Sequence, residues 1–171
     1  MGKFAASGRV ARRLVLGAGL AGTLLALGAC SGETAEAPAV QSAAGTVDGL
    51  TITNARLVLN AVKANPAVVY FDLSYNGDKG LSIRKVEVEG AGMSMMHDYM
   101  EYDYKVQMVE AMPVALTKGT EVEFKPGGLH IMAMEPSPEW EPGGKVKVTL
   151  TMSGGATHNF EAEIMAPGAE R

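Results

Sequence analysis

The chain has 171 residues, of which 47% are apolar, so it can form one domain with a buried core but not comfortably two. Residues 1–29 contain four basic residues and no acidic one, which leaves 11 basic and 19 acidic residues, a net charge of −8, on the rest of the chain. Because nucleic-acid phosphates are bound by lysine and arginine, so acidic a domain is a poor candidate for a nucleic-acid partner.

The first part of the chain has the pattern of an export signal. A basic opening precedes an apolar run over residues 14–27, which is shorter than the ~20 residues of a membrane span. The run ends in a Leu-Gly-Ala-Cys sequence at Cys30 that resembles the lipobox of bacterial lipoproteins. We therefore predict a signal peptide over residues 1–29 and a lipidated Cys30 with a flexible tether over residues 30–46. The expected location is the periplasm, on a lipid anchor, and Ser31 after the cysteine favours the outer membrane over the inner one.

Cys30 is the only cysteine in the chain. If it is lipidated, the mature domain has no thiol, and a site for a soft metal ion must use methionine instead. The lack of a second cysteine also argues against a blue-copper electron-transfer protein, which needs a cysteine thiolate at the metal.

Residues 47–165, which precede a short tail at 166–171, show the periodicity of strands rather than of helices. The clearest run is Lys145–Met152, in which alternate residues are predicted to point inward. The strand-like runs are Leu50–Leu59, Ala67–Tyr75, Leu81–Val88, Glu121–Phe124, His130–Met134, Lys145–Met152 and His158–Met165. These runs predict an all-β domain, an antiparallel β-sandwich of about seven or eight strands.

Histidine and methionine are concentrated between residues 93 and 134, which hold eight of the 11 methionines and two of the three histidines. Four of them stand in a frame: His97, ten residues, Met108, 21 residues, His130, one residue, Met132. His130 and Met132 lie two apart on a predicted strand, so they point to the same face. Two imidazoles and two thioethers are neutral and soft to borderline, which favours Cu(I) over Cu(II) or Zn(II). We predict one Cu(I) site, provided that residues 98–107 fold back and bring His97 and Met108 towards His130.

The frame resembles that of the periplasmic copper chaperones of the PCuAC family. The resemblance covers about residues 50–165 and includes the Lys-Pro-Gly-Gly sequence at 125–128 and the strand His130–Met134. It implies a cupredoxin-like β-sandwich that binds one Cu(I) through the four frame residues and has no catalytic activity. It also implies transport of copper towards the CuA centre of cytochrome c oxidase. The partner would then be oxidase subunit II or a Sco-type thiol copper protein, and we expect a monomer.

One departure from the family concerns the second ligand. The family's proline lies two residues after the ligand methionine, whereas Pro113 lies five residues after Met108. Met112 therefore competes with Met108 as the ligand. Met112, Met96 and Met134 are also candidate auxiliary ligands, although methionine is equally a common packing residue.

Other functions remain open on the sequence alone. A lipid-anchored copper buffer for tolerance would use the same site as a carrier. A structural or adhesion β-sandwich would use the methionines as core and bind no copper. An enzyme is disfavoured, because the chain contains neither G-x-S-x-G nor H-E-x-x-H. His158 stands outside the frame, and we expect it to have a surface or structural role.

Overall fold

The computed structural model describes residues 45–169; the predicted signal peptide, Cys30 and nearly all of the tether lie outside the described residues. Ten strands and no helix occupy that part of the chain, so it contains no helix long and apolar enough to cross a membrane. The strands are β1 Leu50–Val58, β2 Ala67–Tyr75, β3 Leu81–Val88, β4 Ala91–Tyr102, β5 Lys105–Glu110, β6 Val114–Leu116, β7 Thr120–Phe124, β8 His130–Pro136, β9 Lys145–Met152 and β10 Thr157–Met165.

The strands pair in the order β5-β4-β8-β2-β1-β10-β9-β3-β6, and β7 pairs with the second half of β2. All pairs are antiparallel except β1 with β10. The predicted all-β sandwich is confirmed. It has ten strands among the described residues, rather than the seven or eight expected, because β4, β5 and β6 were not recognised as strands.

Alternation of apolar and polar side chains builds the core as expected. In β9, Val146, Val148 and Leu150 are buried, while Lys145 and Lys147, which alternate with them, are exposed. Central strand β2 is buried on both faces over most of its length, which explains its continuous apolar sequence. The rings of Phe71 and Phe124 stack with centroids 4.0 Å apart in the middle of the core.

His158 has a structural role, one of the two expected for it. Its side chain is buried, and its Nδ1 accepts a hydrogen bond of 3.2 Å from the backbone N–H of Val47. Burial lowers the pKa of this imidazole, so it is held in the neutral form that can accept the bond. The contact ties the beginning of the domain to β10.

Strands β4 and β5 form a hairpin at one edge of the sheet, with β5 outermost. Only Asp103 and Tyr104 separate the paired residues Tyr102 and Lys105, and both have positive φ, of 51° and 57°. Two consecutive residues with positive φ define a type I′ turn, which matches the twist of the strands it joins. Residues 98–107 thus fold back on themselves, which is the condition that the predicted site placed on this segment.

Candidate metal site

The two frame histidines lie directly opposite each other on neighbouring strands. His97 of β4 pairs with His130 of β8, and the next pair on the same face is Met95 with Met132. The ring centroids of the two histidines are 6.0 Å apart. With metal–nitrogen bonds of about 2.0 Å, each ring centroid lies about 3 Å from a bound ion, so two rings on one ion stand up to about 6 Å apart. The observed separation lies at the upper limit for one shared ion.

The loop before β8 sets the orientation of His130. Gly128 N–H donates to the carbonyl of Lys125 over 3.1 Å, and Gly127 between them has a φ of 76°. A proline followed by a residue of positive φ is the signature of a type II turn. The turn directs the Gly128 carbonyl at Nδ1 of His130, 2.7 Å away. Because a carbonyl only accepts, Nδ1 carries the proton and Nε2 is left with a free lone pair for a metal ion.

His97 supplies the second free nitrogen. Its Nδ1 is buried and is the one such side-chain atom in residues 45–169 without a hydrogen-bond partner. A buried polar atom left unpaired costs about 1–3 kcal/mol, and a bond to a metal ion would satisfy it. Burial, followed by the neighbouring His130, lowers the pKa of His97, while Glu110 opposes the shift. The imidazole is therefore held in its neutral, metal-binding form.

The frame methionines lie on the same side of the sheet as the histidines. Met132 follows His130 by two residues on β8, with Ile131 between them pointing into the core. Met108 of β5 pairs with Tyr99, which is two residues from His97 on β4. Met108 is thus a diagonal neighbour of His97, a distance of roughly 7–8 Å between backbones that long side chains can bridge.

The other candidate methionines occupy different environments. Met112 lies beyond β5 and is 82% exposed. Ala111, just before it, is the last residue bonded to β4, through the carbonyl of Met96. Met96 itself is buried opposite Ile131, so its thioether lies in the core, away from the histidines. Met134 shares the outer face with Met132.

Two residues that sequence reasoning did not identify also border the site. The ring of Tyr99 lies 5.6 Å from that of His130, and Glu110 pairs directly with His97 across the hairpin. The position of Glu110 depends on the hairpin register, which the two-residue turn determines. The position of Tyr99 depends instead on the pairing of β4 with β8. Within residues 45–169, no three side chains of His, Cys, Asp or Glu come together in a way that could hold a metal ion.

Comparison with solved structures shows the same fold in copper-related domains. The apo PCuAC domain from PmoF1 is 25% identical and aligns over 71% of this chain and 98% of its own, with a TM-score of 0.60. The copper-bound PCuAC domain from PmoF2 is 17% identical over 71% and 97%, with a TM-score of 0.58. The Cu(I) form of DR1885 from Deinococcus radiodurans is 23% identical over 78% and 89%, with a TM-score of 0.51.

The resemblance to PCuAC domains is therefore confirmed. Among curated proteins, no relative matches the chain. The family described as "Putative lipoprotein LpqE-like" matches residues 50–164, which is more than half of the sequence and nearly all of the described domain. On this match, the chain belongs to the LpqE-like family.

Proposed function

We propose that this protein is a carrier of Cu(I), which His97, Met108, His130 and Met132 hold as cargo, one ion per domain. The observation that carries the proposal is the unpaired, buried Nδ1 of His97 opposite a histidine whose own Nδ1 is already bonded. Each ring thus has one nitrogen available to a metal ion, and the ring centroids are 6.0 Å apart. A structural β-sandwich that binds no metal would gain nothing from leaving that nitrogen unpaired.

The donor set selects the oxidation state of the ion. Four neutral ligands, two of them thioethers, stabilise Cu(I), whereas Cu(II) gains from charged or tetragonal donors. Met108 is the preferred fourth ligand because the hairpin register sets it beside His97, while Met112 lies past the end of β5. Met108 is 45% exposed, so a partner's sulfur ligand could reach the ion from that side. A carrier must release its cargo, and a partly open shell supports this.

The proposed location and partner are supported by the sequence and by the family description. A lipid on Cys30 would anchor the domain in the periplasm, on the outer rather than the inner membrane, and the family description as a lipoprotein supports an anchored protein. We propose delivery towards the CuA centre of cytochrome c oxidase, through subunit II or a Sco-type thiol copper protein. Transfer would be ligand exchange without catalysis of a reaction.

A competitive Cu(I) titration of the purified protein against a chromogenic chelator, under reducing conditions, tests the site. We expect one tight equivalent that His97→Ala, His130→Ala and Met108→Leu each weaken by at least about tenfold, which corresponds to about 1.4 kcal/mol of lost binding free energy. Met112→Leu is the matched control, since it removes an exposed thioether from the same segment. If Met112→Leu weakens binding and Met108→Leu does not, Met112 replaces Met108 as the assigned ligand. If the chelator keeps all the copper, the carrier function is refuted in favour of a structural sandwich.

A deletion strain separates delivery from storage. Loss of cytochrome oxidase activity at low copper, restored by the wild-type gene and not by His97→Ala, is the expected result. Sensitivity confined to high copper would instead show a lipid-anchored buffer for tolerance.

A further inference from the structure

The outer face of strands β4 and β8 carries more thioethers than the proposed site uses. Beyond the histidine pair, Met95 lies opposite Met132 and Met93 lies opposite Met134. Directly opposed residues have Cβ atoms about 4.5–5.5 Å apart, and diagonal neighbours such as Met95 and Met134 stand about 7–8 Å apart. Methionine has three flexible bonds with which to close such gaps. Three sulfur atoms outside the proposed site can therefore converge on one point.

These three side chains are not part of the core. Ser94 and Met96 take the alternate positions on β4, and they lie against the buried Ala133 and Ile131 of β8. The Ser94 hydroxyl accepts a hydrogen bond of 3.1 Å from the backbone of β3, which confirms that this face points inward. Met93, on the opposite face, is 52% exposed, and Met95 and Met134 are half-buried. Packing accordingly does not account for three thioethers at these positions.

We propose that Met93, Met95 and Met134 form a second site, which binds Cu(I) or its d¹⁰ analogue Ag(I) more weakly than the histidine site. Three neutral thioethers select a soft monovalent ion over the borderline Zn(II) and the hard Mg(II). The site shares this soft-metal chemistry with the proposed function but none of its four ligands. It is weaker because it is more exposed and has no imidazole.

The strand geometry connects the two sites. Successive residues on one face of a strand are about 7 Å apart, so the thioether site is centred about 10 Å from the histidine pair. Met95 and Met132 form the pair between them, with one residue from each ligand set. An ion can therefore pass from the thioether site to the histidine site by exchanging one sulfur ligand at a time. The thioether site would bind copper near the beginning of β4 and pass it to the histidine site.

The test is a titration of the full-length protein, labelled with [¹³C-methyl]methionine, first with Ag(I) and then with Cu(I) under reducing conditions. We expect two steps in the NMR spectra. The methyl groups of Met108 and Met132 shift with the first equivalent, and those of Met93, Met95 and Met134 shift with the second. The methyl group of Met152, buried in the core, should not shift.

Variants separate the two sites. A triple variant should lose the second step and keep the first; it carries Met93→Leu, Met95→Leu and Met134→Leu. The control is Met100→Leu, which removes an exposed methionine from the other face of β4 and should keep both steps. His97→Ala should weaken the first step alone, so failure of the carrier site and failure of the thioether site give different spectra. Saturation at one equivalent without movement of the three methyl groups would overturn the proposal. A second step that survives in the triple variant would overturn it as well.

Discussion

Replacing Met96 or Met93 by alanine tests the division of β4 into a core face and an outer face. Met96 is 7% exposed, and Met93, three residues away on the same strand, is 52% exposed. Truncating a buried methionine costs about 2–5 kcal/mol, through lost burial and the cavity left behind. Since Met96 lies only one strand from the sheet edge, where neighbours can partly collapse, we expect about 2–3 kcal/mol for Met96→Ala. Met93→Ala should cost less than about 1 kcal/mol.

Urea unfolding of the apo protein measures the difference. With a slope of about 2 kcal/mol/M, Met96→Ala should lower the midpoint by about 1–1.5 M, and Met93→Ala by less than about 0.5 M. The slope itself should not change, since neither substitution alters the surface exposed on unfolding by much. Equal losses for the two variants would refute the assignment of faces, and with it the placement of the outer thioethers. Cu(I) binding by folded Met96→Ala should match the wild type.

The remaining predictions concern a turn, a buried imidazole and a surface ion pair. Gly127→Ala should destabilise the domain by about 1 kcal/mol, because a Cβ there meets no atom within 4 Å but the positive φ is strained. The folded-state pKa of His158 is lowered by burial, so its contribution to stability should be complete above about pH 6.5 and be lost as the pH falls below it. Lys145→Ala should cost less than about 1 kcal/mol, because the Lys145–Glu161 pair, although 2.9 Å apart, is exposed.

Controls distinguish these effects from general damage. Gly143→Ala is the matched substitution for Gly127→Ala, since Gly143 also has a positive φ, of 87° against 76°, and open space at its Cβ but lies outside the β8 loop. Both variants should lose stability, and only Gly127→Ala should also weaken Cu(I) binding. His158→Asn should reduce the loss of stability between pH 7 and 5, measured by thermal unfolding, and an unchanged pH profile would contradict the assignment. A large loss of stability in Lys145→Ala at high salt would show that salt does not screen the Lys145–Glu161 ion pair.

Regular alternation in the sequence predicted most of the fold. All seven runs correspond to strands, and His130 and Met132 share a face with Ile131 turned into the core, as their spacing required. Strand β4 was missed because methionines occupy both of its faces, which erases the apolar–polar alternation that marks a half-buried strand. The methionines of the proposed thioether site thus conceal the strand that carries them.

The register of the hairpin could not be read from the sequence. Its turn consists of Asp103 and Tyr104, which take positive φ without the glycine or asparagine that normally signals a type I′ turn. A shift of one residue would exchange Met108 for a neighbour on the other face. The position of Glu110 beside His97 depends on the same register, so neither contact follows from spacing alone.

Strand β5 has one neighbour, whereas β4 and β8 are each held on both sides. Three of the four proposed ligands, on β4 and β8, therefore lie on strands that are hydrogen-bonded on both sides. Met108 lies on the edge strand β5, which can separate from the sheet by breaking the hydrogen bonds to β4 alone. The free energy of local opening in proteins ranges from near zero at edge segments to the global free energy of unfolding in the core. We expect amide hydrogens of β5 to exchange with solvent well before those of β8. Copper held at the proposed site could then leave when β5 separates from β4, at a small fraction of the free energy of unfolding the domain.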